Sequence, residues 1–242
     1  GAIIFLVSLG FGLQKLTVNK IAKSNSLTTL DVSVTKSSLI KLDDQAIEKF
    51  SSIRDIEKIS PSISLPGQVN FNSTTTDCII NGIDPAYMQL QGTKVTIGNF
   101  LSQIASAEDP TSKAIVSTAV LKLFDIKNNQ DILNKVIKLD LFIPDQNDAT
   151  SGYKKVVKEF KVVGVVDDTS SIVYILVDDL KALGVNTYNS VKIKVTNSSA
   201  IAAIKENITS MGYNVTSVAD MVDQINGVFR IFQIVLACFG II

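Results

Sequence analysis

Leu30, Val32 and Val34 alternate with Asp31 and Ser33, and the same period of two returns at Val191, Ile193 and Val195 against Lys192, Lys194 and Thr196. Each stretch reads as a strand with one buried face. After the first, Asp43 is placed to cap a helix carrying Ile47, Phe50, Ile53 and Ile56 on one side, because its carboxylate can accept from free amides of the first turn. Ile59, Ile63 and Leu65 then predict a second strand around Pro61. After the later strand, Ser198 or Ser199 is expected to cap a helix with Ile201, Ile204, Ile208 and Met211 on one face. Gly212 stands where a left-handed stop is wanted, and "YNVTSV" returns as a strand. Two β-α-β units, far apart in sequence, together predict a split β-α-β domain of ferredoxin-like type.

Residues 66–190 have a different rhythm. Strands are expected at 77–83, 93–97, 136–143, 156–166 and 172–177, with one short helix near 117–124. "IPDQNDATSGY" is polar and turn-rich, the expected tip of a long hairpin. The fold class is therefore α+β, a split domain with a mostly β insertion. Pro66-Gly67 and Gly184 mark the two crossings between the parts and are expected to be hinges.

The ends change the picture. "GAIIFLVSLGFGL" at 1–13 and the stretch from Ile231 to Ile242 carry no charge, and all 23 Lys+Arg and 23 Asp+Glu lie between them. Thirteen helical residues reach roughly 20 Å, short of a hydrocarbon core about 30 Å thick. Two readings stand: core helices of a soluble domain, or the inner parts of two transmembrane helices flanking an extramembranous loop. The second fits the placement of every charge between the runs. Net charge is zero, which gives no reason to expect nucleic acid or anionic lipid as a partner. Lysines after the first run do not fix the side of the membrane, because that rule weakens for loops beyond about 60 residues.

Candidate chemistry is sparse. The chain has no histidine, no GxxxxGK[ST] phosphate loop and no GxSxG elbow. Cys78 therefore has no imidazole base, and it and Cys238 are not expected to form a structural disulfide. Adjacent carboxylates occur at Asp43-Asp44, Asp167-Asp168 and Asp178-Asp179, but neighbours in sequence point apart and cap elements or face water. Asn72, Asn197, Asn207 and Asn214 head Asn-x-Ser/Thr triplets, expected by chance in so Asn- and Thr-rich a chain. No catalytic, cofactor-binding or metal-binding residue is assigned, and the chain is not expected to be an enzyme.

"IINGIDPAYMQLQGTKVTIGNF" at 79–100 resembles the GIDP…G…GxF stretch of MacB-like periplasmic core domains. "KAIVSTAVLKLFDI" is similar to that family's strand-helix segment, and "KEFKVVGVV" to its Phe-x-Val-Val-Gly-Val strand. "VADMVDQINGVFRIFQIVLACFGII" resembles its return into a second membrane helix. Gln91 and Asn99 stand where the family often has arginine, and "NNQDILNKVIKL" lacks its usual glycines.

The resemblance implies the extracytoplasmic domain of a multi-pass ABC transporter permease in the cell membrane. Its parts would be the end of a first membrane helix (1–14), a porter-like domain in two pieces (15–66 and 185–226), an inserted sabre-like domain (67–184) and the start of a second membrane helix (227–242). The partners implied are a cytoplasmic ABC ATPase, separate or fused, a second permease copy or homologue, and an adaptor protein. The work implied is mechanical coupling of ATP hydrolysis to export or efflux. Alternatives are an FtsX-like regulator of a cell-wall hydrolase, a lipoprotein-release permease, and a free-standing sensor or binding module.

Overall fold

Strand β1 (Thr29–Ser33) buries Leu30 and Val32 completely, and helix α1 (Asp44–Ser51) covers them with Ala46 and Phe50. This is a computed structural model, and it describes residues 8, 10–16, 28–35, 40–101, 112–144 and 152–239. The tip of the expected hairpin at 145–151 and the outer parts of both terminal runs lie outside the described residues. Asp43 caps α1 as its position requires, accepting from the Ala46 amide at 3.1 Å. The helix ends earlier than the apolar spacing implies: Ile53 lies in a turn, and Ile56 opens β2 (Ile56–Phe71).

The second unit is β9 (Ser190–Val195), α5 (Ile201–Ser210) and β10 (Asn214–Ser217). Its cap differs from expectation. Asn197 opens a 3-10 turn at Ser198–Ala200 by accepting from the Ala200 amide at 3.0 Å, and α5 grows out of that turn. An Asn oxygen two bonds beyond its Cβ reaches the third amide that Ser198 and Ser199, already inside the turn, cannot cap. The strands pair antiparallel in the order β10-β1-β9-β2. The two units interleave in one sheet, with buried residues of both α1 and α5 in the same core as its apolar face. The opposite face carries Asp31, Ser60 and Lys192.

The insertion closes on itself. β2 pairs with β3 (Thr74–Ile83), β3 with β8 (Ile172–Leu176), β8 with β5 (Lys113–Ser117), β5 with β7 (Tyr153–Val166), β7 with β6 (Val136–Pro144), and β6 again with β2. This ring of six strands is a small barrel, filled by Val69, Ile80, Val116, Leu139, Leu141, Phe160 and Val173, none more than 1% exposed. β4 (Val95–Gly98) adds to β7. Helices α2 (Tyr87–Gln91), α3 (Thr118–Leu123) and α4 (Val177–Lys181) lie between the strands.

β2 belongs to both parts, and this corrects the expected hinges. It pairs with β9 up to Ser62, with β3 from Ser62 to Phe71 and with β6 from Gly67, so Pro66-Gly67 sits in mid-strand. Pro66 falls where one edge of β2 has passed β9 and not yet met β6, so its missing N–H removes no ladder bond there. Gly67 admits β6: a Cβ would come within 2.7 Å of the Asp140 carbonyl oxygen. Gly184 (φ +88°) ends α4 in a Schellman turn, its amide bonded to Lys181 O and that of Val185 to Leu180 O.

Further bonds tie the parts together. Asn189 accepts from the Ser64 amide at 2.7 Å, and Ser60 donates to Asp84 at 2.9 Å. Tyr188 and Lys181 both donate to Asp44 on α1, holding that carboxyl below its ordinary range. Spin labels at the exposed Glu206 and Thr75 should therefore give one narrow distance distribution in the free chain. A broad or double distribution would restore the hinge.

Candidate functional site: the strand-to-helix joint

The residues with potential for chemistry are dispersed. Asp43 caps α1 while Asp44 faces Tyr188 and Lys181. Asp167 accepts from Thr118, Asp168 from the Ser170 amide, and Asp179 from Lys158 and Ser112. The first two expected pairs thus serve different partners, and in the third Asp179 is engaged while Asp178 is exposed. Cys78 is buried, and desolvation first, then Asp77, pushes its thiol up to about 12. It stays protonated and unreactive at neutral pH. Among the described residues no cluster of ligands could hold a metal ion.

What the fold does build is a joint. β10 ends at Ser217 and α6 (Val218–Phe239) starts at the next residue, with no loop between them. Ser217 Oγ accepts from the Asp220 amide at 3.1 Å, while Asp220 Oδ2 accepts from the Ser217 amide at 2.6 Å and its hydroxyl at 2.7 Å. This is a reciprocal cap, satisfying two amides that the helix start would leave open. Lys205 of α5 donates to the other carboxylate oxygen at 2.8 Å. Lys205 and Ser217 hold the Asp220 carboxyl at about 2, and the positive end of α6 acts in the same direction. The first turn of α6 is thereby fixed to a strand of the sheet and to the helix packed on it.

Beyond the joint, α6 turns apolar outward. Val228, Ile231, Phe232, Ile234 and Val235 are between 45% and 63% exposed, and Phe11, Leu13 and Leu16 of the N-terminal helical stretch between 50% and 68%. The two helical segments meet through Gln14, which donates to Asn226 at 2.7 Å. Asn226 belongs to a polar stripe with Asp223, Arg230 and Gln233 at helical spacing. Among the described residues no helix is long and apolar enough to cross a membrane.

The joint escaped the sequence reading although a signal was there. "SVAD" has the Ser-x-x-acid spacing of a cap before an apolar run. Lys205 carried no local signal, since its partner lies across a helix-packing contact. Ser217→Ala should lower unfolding stability by about 1 kcal/mol, measured as a shift in urea midpoint. The Asp220 carboxyl sits below its unfolded value of 3.8, so its contribution is present above that pH and lost as pH falls toward about 2. Asp220→Asn should flatten this acid limb, and an unchanged limb would mean that Asp220 is not what titrates.

The chain matches the model of the MacB-like periplasmic core domain over residues 1–211. It is 29% identical over 146 residues to the macrolide export ATP-binding/permease protein MacB of Bartonella henselae, covering 57% of this chain and 22% of that protein. It is 23% identical over 227 residues to the protein of the same name from Bdellovibrio bacteriovorus, covering 84% of this chain and 32% of that protein. The chain therefore spans a third or less of these relatives. In fold it is similar to the periplasmic region of MacB from Actinobacillus actinomycetemcomitans, with a TM-score of 0.63 at 18% identity, over 86% of this chain and 98% of that one. It is also similar to the extracellular domain of the noncanonic ABC-type transporter YknZ from Gram-positive bacteria, with a TM-score of 0.57 at 16% identity, over 78% of this chain and 100% of that one. With most of its length inside the family match, the chain belongs to the MacB-like periplasmic core domains.

Proposed function

We propose that this chain is the extracytoplasmic domain of an ABC transporter permease, and that it couples cytoplasmic ATP hydrolysis to export by mechanical transmission. The observation that carries this reading is the loopless joint between β10 and α6, where Ser217, Asp220 and Lys205 fix a helix with an apolar outer surface to the sheet. In this reading residues 10–14 and the apolar part of α6 enter the bilayer as parts of two membrane helices. The split domain is the porter-like part and the barrel is the sabre-like insertion. Motion of the membrane helices reaches the sheet through Ser217 and the barrel through β2. The permease works with a cytoplasmic ATPase, separate or fused, as a dimer with a second permease copy, and an adaptor docks on the extracytoplasmic side.

The chain contributes no chemistry of its own in this account, and ATP is bound elsewhere. Titration calorimetry of this chain with Mg-ATP should show no heat of binding, and a micromolar affinity would contradict the assignment of roles. The reading as a whole is tested by reconstituting the complete permease with its ATPase in vesicles and measuring ATP-dependent movement of a macrolide, the cargo class that the two relatives' names give. ATP-dependent transport supports export. ATPase-dependent activation of a cell-wall hydrolase without transport would favour the regulatory alternative.

A further inference from the structure

Helices α1 and α5 lie side by side on the split sheet, and a cleft of ≈ 520 Å³ opens between them on the solvent side. Its volume is in the range of small-molecule sites, about 300–1,000 Å³. Ile53, Ile204 and Met211 supply its apolar lining. Lys49 and Arg54 stand at its rim, and the side chain of neither is in an ion pair with another described residue. Asp55 lies beside them, so the lining carries two cations against one carboxylate. The segment bearing Arg54 is held in place: the Ile53 amide bonds to Phe50 O at 3.0 Å, and the Thr196 amide to Asp55 O at 3.0 Å. The cations therefore stand on a fixed backbone at the edge of a trough whose lining includes Ser52 and Asn207 beside the apolar side chains.

We infer that this cleft binds an anionic amphiphile, a single alkyl chain ending in a carboxylate or phosphate. The apolar lining takes the chain, and Lys49 with Arg54 takes the anionic head through charge-assisted hydrogen bonds. An alkyl chain alone gains burial without orientation, and an inorganic anion alone meets two exposed cations that water also solvates. Only a molecule with both parts uses the whole cleft. The inference stands on the cleft itself and does not rest on the export reading.

The test uses the full chain in neutral detergent and a dodecanoate bearing a diazirine, with the uncharged dodecanamide analogue as comparison. After irradiation, labelled peptides are mapped by mass spectrometry. The carboxylate probe should label 49–55 and 200–211 at least fivefold more than the amide does. Dodecyl phosphate should compete, and inorganic phosphate at the same concentration should not. Lys49→Glu with Arg54→Glu should remove the difference between probes, and Asp55→Asn should increase labelling by the carboxylate. These three side chains are exposed, so circular dichroism should find the variants folded; Asp55→Asn gives an independent reading if the double reversal does not fold. Equal labelling by both probes, competition by inorganic phosphate, or indifference to all three substitutions would overturn the inference. Labelling of α6 by both probes alike reports detergent or lipid contact there and bears on the export reading alone.

Discussion

Under the proposed coupling role, inserting Gly-Ser-Gly between Ser217 and Val218 should reduce export by the assembled transporter to background while the domain stays folded. The insertion separates Ser217 from Asp220, so the reciprocal cap and the anchorage to Lys205 are lost together. Losing a cap costs about 1 kcal/mol, a small part of a typical stability of about 5–15 kcal/mol. The insertion also displaces Val218, 2% exposed at the helix start, but Val215 still faces the core from β10 and the strand pairing is kept. What changes is stiffness. A glycine-rich linker behaves as a flexible coil, and rotation of α6 would be absorbed there instead of reaching the sheet. The same tripeptide at Asn72-Ser73, in the exposed turn between β2 and β3, should leave export intact. ATP hydrolysis should persist in both variants. Undiminished export with the joint interrupted would rule out transmission through Ser217.

Much of the split domain was legible because its signals are local. Leu30 and Val32, or Val191, Ile193 and Val195, announce a buried face by alternation, and Asp43 announces a helix start by position. Of the barrel's strands, β3, β6, β7 and β8 were legible one by one, β2 only as far as Leu65 and β5 only through the family resemblance, and the closure was not legible. Ring closure depends on β2 meeting β6 and β3 meeting β8, pairs far apart in sequence and in one case parallel. Nothing within a window of residues encodes them. Helices α2 and α4, five residues each, were missed because five residues cannot show a helical period.

Pro66-Gly67 was misread for a related reason. Proline and glycine break a strand that has neighbours on both edges, and here they mark the point where one edge changes neighbour. Proline tolerates the gap, and glycine makes room for the incoming strand. The same pair of residues signals a hinge or a junction according to what pairs beside it. The joint was half legible: Ser217 and Asp220 carry a spacing that could have been read, while Lys205 required the packing of α5 against the start of α6.

Phe160→Ala and Phe50→Ala should each destabilise the protein by about 3–5 kcal/mol, and each should shift one common unfolding transition. Phe160 fills the barrel from β7, and Phe50 is on the inner face of α1 with its ring edge-on to Tyr213 at 5.1 Å; both are 0% exposed. They belong to different parts of the fold but to one continuous core, connected through β2. If the barrel were a separate unit, Phe160→Ala would lower its melting alone and leave the split sheet at the parent midpoint. With β2 shared, unfolding the barrel frees Leu65 and Val69, and the strand bearing them also holds Ile59 and Ile63 against the split sheet. The penalty should therefore spread across the described strands. Amide exchange resolves the two cases: Phe160→Ala should speed exchange at the paired amides of β9, such as Ile193, by the same factor as at those of β7. Protection of β9 at the parent level, with β7 exchanging faster, would show two independent bodies and return the hinge between them.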